Sequence, residues 1–150
     1  DFLFVAGAFG LVMANNASIS GAEGGCQAEI GPASAMAAAA LVWAKGGSAE
    51  QSAQAVAITL KNMMGLICDP VAGLVEVPCV KRNALGSSQA FISADMALAG
   101  IKSVIPADEV IAAMYQVGRQ MPAIFKETAE GGLAMTPTAQ RLTKELIGTE

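Results

Sequence analysis

The 150-residue sequence predicts an all-α domain of six to seven helices with two long loops that each carry cysteine. Three observations lead there. Helix start and stop residues recur along the chain at helical spacing, and no stretch keeps the two-residue alternation of a strand. The composition is 53% apolar with only 5% aromatic residues. A mean hydropathy of +0.49, built from Ala, Val, Leu, Ile and Met, describes helices packed through small contact residues, or else a membrane protein.

A first apolar helix is expected over Phe2 to Ala14, followed by a small, polar, glycine-bearing loop from Asn15 to Cys26. Helical sequence resumes at Gly31 or Pro32, where the proline ring suits a first turn, and runs to Lys45 before Gly46-Gly47. Ser48 with Gln51 three residues later is a capping box, opening a helix to about Met64 that Gly65 closes. Leu66 to Val80 holds two prolines and a dense run of Val, Leu and Ile without helical periodicity, and reads as an ordered, buried loop. Arg82 to Ala99 is helical but interrupted by Gly86-Ser87-Ser88. Pro106-Ala107-Asp108-Glu109 opens the next helix, to about Met121. Ala123 to Met135 is half helical, and Thr136-Pro137 caps a final helix that ends at Gly148.

The length suits one domain, 1–150. A membrane span is not expected. Phe2 to Ala14 is too short for about 30 Å of hydrocarbon, and Ala33 to Ala44 reaches spanning length only by taking in Glu29 and Pro32. Neither has the flanks of a signal peptide. The abrupt apolar start at Asp1 suggests a piece of a longer chain, truncated on its N-terminal side, whose apolar surface has a partner. The net charge of −4 carries no basic stripe and argues against nucleic acid. Histidine is absent, which removes imidazole chemistry from this segment. Three cysteines without a secretory signal point to a reducing cytoplasmic compartment.

Cys26 closes the first loop, and Cys68 and Cys79 frame the second. Structural cysteines of helical cores usually lie on apolar helix faces, so loop placement favours ligation. Loop-closure entropy grows slowly with length, and the 42-residue interval is no obstacle to a common site. The residues alone leave four alternatives open: buried inert thiols, a three-thiolate zinc site lacking the usual close pair of ligands, a disulfide with one free thiol, and an iron–sulfur cluster held by three cysteines.

The stretches Ser18-Ile19-Ser20-Gly21-Ala22-Glu23-Gly24-Gly25-Cys26-Gln27-Ala28-Glu29-Ile30-Gly31, Gly65-Leu66-Ile67-Cys68-Asp69-Pro70-Val71-Ala72-Gly73-Leu74-Val75-Glu76-Val77-Pro78-Cys79 and Lys81-Arg82-Asn83-Ala84 resemble the cluster-binding part of bacterial iron–sulfur-dependent L-serine dehydratases. The resemblance is closest to the α chain of the two-chain form, and extends to Gly131-Gly132-Leu133-Ala134. It implies a [4Fe–4S] cluster on Cys26, Cys68 and Cys79, with one iron left open to act as Lewis acid on the substrate hydroxyl. It also implies conversion of L-serine to pyruvate and ammonia, a regulatory β chain or a missing N-terminal part as partner, and an oligomer.

Ser18, Ser20, Arg82 and Asn83 flank the cysteines as candidate substrate contacts, although turn formation or pairing with an acid explains them as well. No catalytic base is evident. Lys61, Lys81, Glu23, Glu29 and Asp69 are the nearby ionisable groups, and the family's Ser-Ser-His-Thr motif is not in these residues. That absence leads us to expect the fragment alone to be inactive. Gly24-Gly25 and Gly73 are expected to let the backbone approach bulky sulfides, and Met63 and Met64 to be core. Some single-chain members end in a cysteine whose tail occupies the fourth iron. Here the sequence reads Ile147-Gly148-Thr149-Glu150, which puts a tail-blocked state in doubt. Two rivals from the same residues are a non-enzymatic helical assembly module with structural cysteines, and a hydro-lyase acting on a hydroxy acid.

Overall fold

The computed structural model describes residues 1–148; the Thr149-Glu150 end of the sequence lies outside the described residues. Seven α-helices are formed among them: α1 (Phe2–Asn16), α2 (Gly21–Gly24), α3 (Cys26–Ala44), α4 (Ala49–Met63), α5 (Cys79–Leu98), α6 (Ala107–Gln120) and α7 (Pro137–Ile147). Short 3-10 turns occupy Val71–Gly73, Ala123–Phe125 and Gly132–Met135. No strand is present among the described residues, and the all-α expectation holds. No helix is long and apolar enough to cross a membrane.

The punctuation read from the sequence is visible in the backbone. Ser48 accepts from the Gln51 amide at 3.1 Å while the Gln51 side chain accepts from the Ser48 amide at 2.9 Å, a complete capping box. Thr136 caps α7 with Pro137 in its first turn, and Gly148 closes it in the left-handed region at φ 68°.

Helix α3 is the centre of the molecule, with α1, α4, α5 and α6 packed around it. Its alanines Ala35, Ala38, Ala39 and Ala40 are wholly buried, and a helix apolar on nearly every side belongs in an interior. One core joins α1, α3, α4 and α6 through Met13, Ala35, Val56, Leu60, Ile111 and Met114. A second joins α3, α4 and α5 through Ala38, Val42, Ala55, Ala90, Ala94 and Ala97. Outside these cores, α1 leaves Leu3, Phe4 and Leu11 exposed.

Four local expectations are corrected. Helix α3 begins at Cys26 rather than at Gly31 or Pro32, so Pro32 sits inside the helix and removes one backbone rung. The polar segment before it is not all loop, because Gly21–Gly24 forms the single turn α2. Helix α5 begins at Cys79 rather than Arg82 and runs unbroken through Gly86-Ser87-Ser88. The segment expected to be buried from Leu66 to Val80 is buried only at Cys68–Val71, and its tip from Gly73 to Val77 is exposed.

The Gly86 correction has a steric cause. A Cβ there would lie 2.6 Å from Ser34 Oγ and 2.9 Å from Ile30 Cγ2, so the glycine is an α3–α5 contact rather than a break. The β-branched Ile30 has one preferred rotamer in a helix and little room to yield. Gly86→Ala is therefore expected to destabilise the fold by about 1–3 kcal/mol, the usual range for overpacking. Urea unfolding measures this, and an unchanged midpoint would contradict the contact.

Candidate metal centre

The cysteines come together by a simple route. Cys26 and Cys79 are the first residues of α3 and α5, so the positive ends of two long helices face the place where a thiolate-bound group would sit. Cys68 lies between them on an extended segment held by the main chain. Its amide donates to Phe125 O at 2.9 Å and its carbonyl accepts from the Glu127 amide at 3.1 Å, giving an isolated parallel bridge with Lys126. Cys26 and Cys68 share one small core with Ile30 and Met63, which places Met63 among packing residues as expected. Cys79 is half-buried.

All three cysteines are free, so no disulfide joins any two of them. Burial pushes the Cys68 thiol up, and the neighbouring Cys26, Glu127 and Cys79 push it further. Burial and Cys26 likewise raise the Cys79 thiol, with Arg82 opposing and Glu29 adding a smaller push. Groups that influence one another in this way share a site. Among the described residues no group of three His, Cys, Asp or Glu is arranged to hold a single metal ion.

Two features bear on the fit of the thiols to an iron–sulfur cluster. Gly21 lets Glu29 pack close to the backbone beside Cys68: a Cβ there would lie 2.8 Å from Glu29 Oε2 and 3.6 Å from Cys68 Sγ. Arg82 Nη1 reaches Cys26 Sγ at 3.5 Å, the kind of donor that stabilises ligating sulfur. The glycine expectation needs amending in this light. Gly24 packs against Ala28 and Gly118, and Gly25, at φ 76°, would place a Cβ 2.6 Å from Met121 Sδ, while nothing lies within 4 Å of a Cβ at Gly73.

Arg82 also donates to Ile67 O at 2.8 Å and pairs with Asp69 Oδ1 at 2.8 Å. Asp69 is 2% exposed, its Oδ2 accepts from the Leu133 amide at 2.7 Å, and its Oδ1 is held by charge, without a directed hydrogen bond. Burial works against the Arg82 charge. The Cys26 sulfur and the Asp69 carboxylate outweigh it, holding the guanidinium above its ordinary value.

The remaining candidates are scattered. Ser18 donates to Glu23 and accepts from the Ser20 amide. Ser18 and Glu23 line a cleft of about 410 Å³ together with Tyr115, Arg119 and Lys126. Asn83 is exposed and offers its carbonyl to Ser87. Lys61 donates to Ser103 O and Lys81 is exposed. The structure brings Glu29 to the cysteines, and with it Glu127, which the sequence did not single out. Its only local mark is a non-glycine residue at φ 69°, invisible before the backbone is known.

Three free thiols are thus gathered at two helix starts and one extended segment. Residues 1–134 match the sequence profile of the serine dehydratase alpha chain family, and the chain belongs to that family. A probable L-serine dehydratase alpha chain of Bacillus subtilis is 70% identical over 147 residues, covering 98% of this chain and 49% of that relative. One of Latilactobacillus sakei is 60% identical over 149 residues, covering 99% and 71%. The L-serine dehydratase alpha chain of Peptoniphilus asaccharolyticus is 54% identical over 138 residues, covering 92% and 47%. The chain thus spans about half the length of the first and third of these relatives.

Two outcomes follow from the geometry. Asp69→Asn removes one partner of a buried ion pair and is expected to cost about 3 kcal/mol in urea unfolding, near the low end for such losses because Arg82 keeps some exposure. A loss under about 1 kcal/mol would show that the pair holds nothing. A raised thiol pKa leaves less thiolate, the reactive form, at a given pH. In the metal-free chain iodoacetamide should therefore modify Cys79 more slowly than free cysteine at about pH 8, with the gap closing as pH rises. Residue-resolved mass spectrometry reads this, and equal rates would contradict it.

Proposed function

We propose that this chain holds a [4Fe–4S] cluster through Cys26, Cys68 and Cys79 and forms the cluster-bearing part of an L-serine dehydratase, converting L-serine to pyruvate and ammonia. What carries the reading is the gathering of three free cysteines, with Arg82 on the Cys26 sulfur, in a member of the serine dehydratase alpha chain family.

The reaction removes the α-proton and the β-hydroxyl of serine as water, leaving 2-aminoacrylate, whose imine tautomer takes up water to give pyruvate and ammonia. Hydroxide is a poor leaving group and the α-proton is weakly acidic. A cluster with three protein thiolates for four irons supplies, when bound, an iron free of protein ligands that acts as Lewis acid toward the hydroxyl. The chain's own residues prepare the place. Cys26, Cys68 and Cys79 hold the group, and the two helix starts favour its negative charge. Arg82 fixes Cys26 and Ile67 against one another. Ser18, Ser20 and Asn83 are the candidate contacts to substrate. Arg82, proposed from the sequence for the same role, has two of its nitrogens engaged by the protein.

No side chain in these residues is assigned as catalytic base. Proton transfer and the Ser-Ser-His-Thr motif belong, in this proposal, to the part of the family's length that this chain does not span, so these 150 residues alone turn over no serine. That part, or a β chain of the kind implied by relatives named alpha chain, covers the exposed apolar face of α1. The assembly is an oligomer in the reducing cytoplasm, where free thiols persist.

Anaerobic reconstitution of the complete enzyme should give about four irons and four sulfides per chain with visible charge-transfer absorption. Each of Cys26→Ser, Cys68→Ser and Cys79→Ser should lose most of that iron and at least about a hundredfold in pyruvate formation, or 2.7 kcal/mol in the barrier. Full iron content and turnover in Cys68→Ser would end the assignment. Comparing serine with threonine and a hydroxy diacid tests the substrate.

A further inference from the structure

Arg82 meets the cysteine site as a cation among anions. Its Nη1 reaches Cys26 Sγ at 3.5 Å, and its charge opposes the upward push on the Cys79 thiol. The other charged side chains that act on Cys68 and Cys79, Glu29 and Glu127, are acidic. Arg82 follows Cys79 by three residues in α5, so the helix that begins with one thiol also carries a positive charge to another.

The counter-charge is kept out of water. Asp69 is buried and meets Arg82 Nη2 at 2.8 Å through Oδ1, an oxygen that has no directed hydrogen bond. The Leu133 amide holds Asp69 Oδ2 at 2.7 Å and Ile67 O holds Arg82 Nη1 at 2.8 Å, so both charges are fixed in place. Buried charges are screened much less than exposed ones and act strongly on their neighbours. Hydrogen bonds to ligand sulfur and nearby net charge set how readily an iron–sulfur cluster takes up an electron. A donor on a thiolate draws electron density away from the iron that the thiolate binds. A carboxylate behind that donor returns part of it.

We propose that Arg82 is a positioning residue that withdraws electron density through the Cys26 sulfur, and that Asp69 limits how far. The pair then fixes both the reduction potential of the bound cluster and the Lewis acidity of the iron that has no protein ligand. The inference rests on the cluster-bearing dehydratase reading above and adds how that site is tuned. Removing the cation makes the cluster harder to reduce, and removing the anion makes it easier. A pair that only braced the cysteines would show no such opposition, because loss of either partner breaks the same contact.

The test uses the complete enzyme, reconstituted anaerobically. Iron content, sulfide content and serine turnover of the unsubstituted protein come first, and their absence would fail the dehydratase reading rather than this one. Each protein is then titrated with a chemical reductant while electron paramagnetic resonance reports the reduced cluster. A midpoint does not depend on the fraction of chains loaded, so partial loss of iron leaves the comparison intact. Arg82→Gln should lower the potential by about 59 mV or more, a tenfold change in the one-electron equilibrium. Asp69→Asn, which keeps an acceptor for the Leu133 amide, should raise it by a similar amount. Arg82→Lys keeps the charge and should stay within about threefold of the parent in that equilibrium. The kcat for serine, per cluster, should fall about tenfold in Arg82→Gln and recover to within about threefold of the parent in Arg82→Lys. The proposal is overturned if the two shifts share a sign, if either is under about threefold, if Arg82→Lys shifts as far as Arg82→Gln, or if kcat in Arg82→Gln stays within about threefold. Should Arg82→Gln hold no cluster, Asp69→Asn decides alone: a higher potential carries the proposal, and an unchanged or lower one overturns it. Loss of the cluster from both variants overturns it as well, leaving the pair as a brace.

Discussion

The cysteine site depends on one buried ion pair. Asp69 directly follows Cys68, and Arg82 sits three residues after Cys79 on α5, so their 2.8 Å contact ties the second cysteine to the helix that starts with the third. The same guanidinium reaches the sulfur of the first. A charge pair taken out of water is costly unless its remaining donors and acceptors are met. Here Ile67 O takes one guanidinium N–H and the Leu133 amide serves the second carboxylate oxygen. A Cβ on Gly132 would collide with that oxygen, so the Gly131-Gly132 turn is what allows the C-terminal segment to approach Asp69. Three thiols distant in sequence are thus tied together through one arginine and one carboxylate.

That arrangement needs a rigid base, which the small residues of α3 provide. Alanine at Ala35, Ala38, Ala39 and Ala40 lets α1, α4 and α5 approach closely, and Gly86 removes the last obstruction where α5 crosses Ile30 and Ser34. Close packing of this kind resists small displacements. Because Cys26 and Cys79 begin α3 and α5, the spacing of their sulfurs is set by the crossing of two long helices rather than by loops. Cys68 alone is carried by an extended segment, and it is the one held by main-chain bonds on both its amide and its carbonyl.

What the sequence made legible was local chemistry. The Ser48/Gln51 box, Thr136-Pro137 and Gly148 act through hydrogen bonds and backbone preferences within a few residues, and each does what its residue type dictates. The misjudged boundaries are those where tertiary packing overrides local preference. Pro32 is tolerated inside α3, where it is fully buried, and Gly86 is consumed by a helix crossing. Cysteine has no strong preference that would announce a helix start, so Cys26 and Cys79 looked like loop residues. The Arg82–Asp69 pairing was one of two readings available from residue types, but nothing in the sequence says that one arginine also meets Cys26. Glu127 carries no signal at all, since its role rests on a parallel pairing with a segment nearly 60 residues away.

The electrostatic consequence follows from how Arg82 is used. A substrate carboxylate could reach its Nη1 or Nη2 only by displacing Ile67 O, the Cys26 sulfur or Asp69, which would undo the constraint that positions the cysteines. Arg82 therefore serves the arrangement of the cysteines. The segment paired with Cys68 carries both signs in succession: Lys126 lines the cleft that also holds Ser18, Glu23 and Arg119, and Glu127 reaches toward Gly21 and Cys68. Two main-chain bonds to Cys68 fix that segment, so a cation and an anion are positioned relative to the sulfur by the backbone itself.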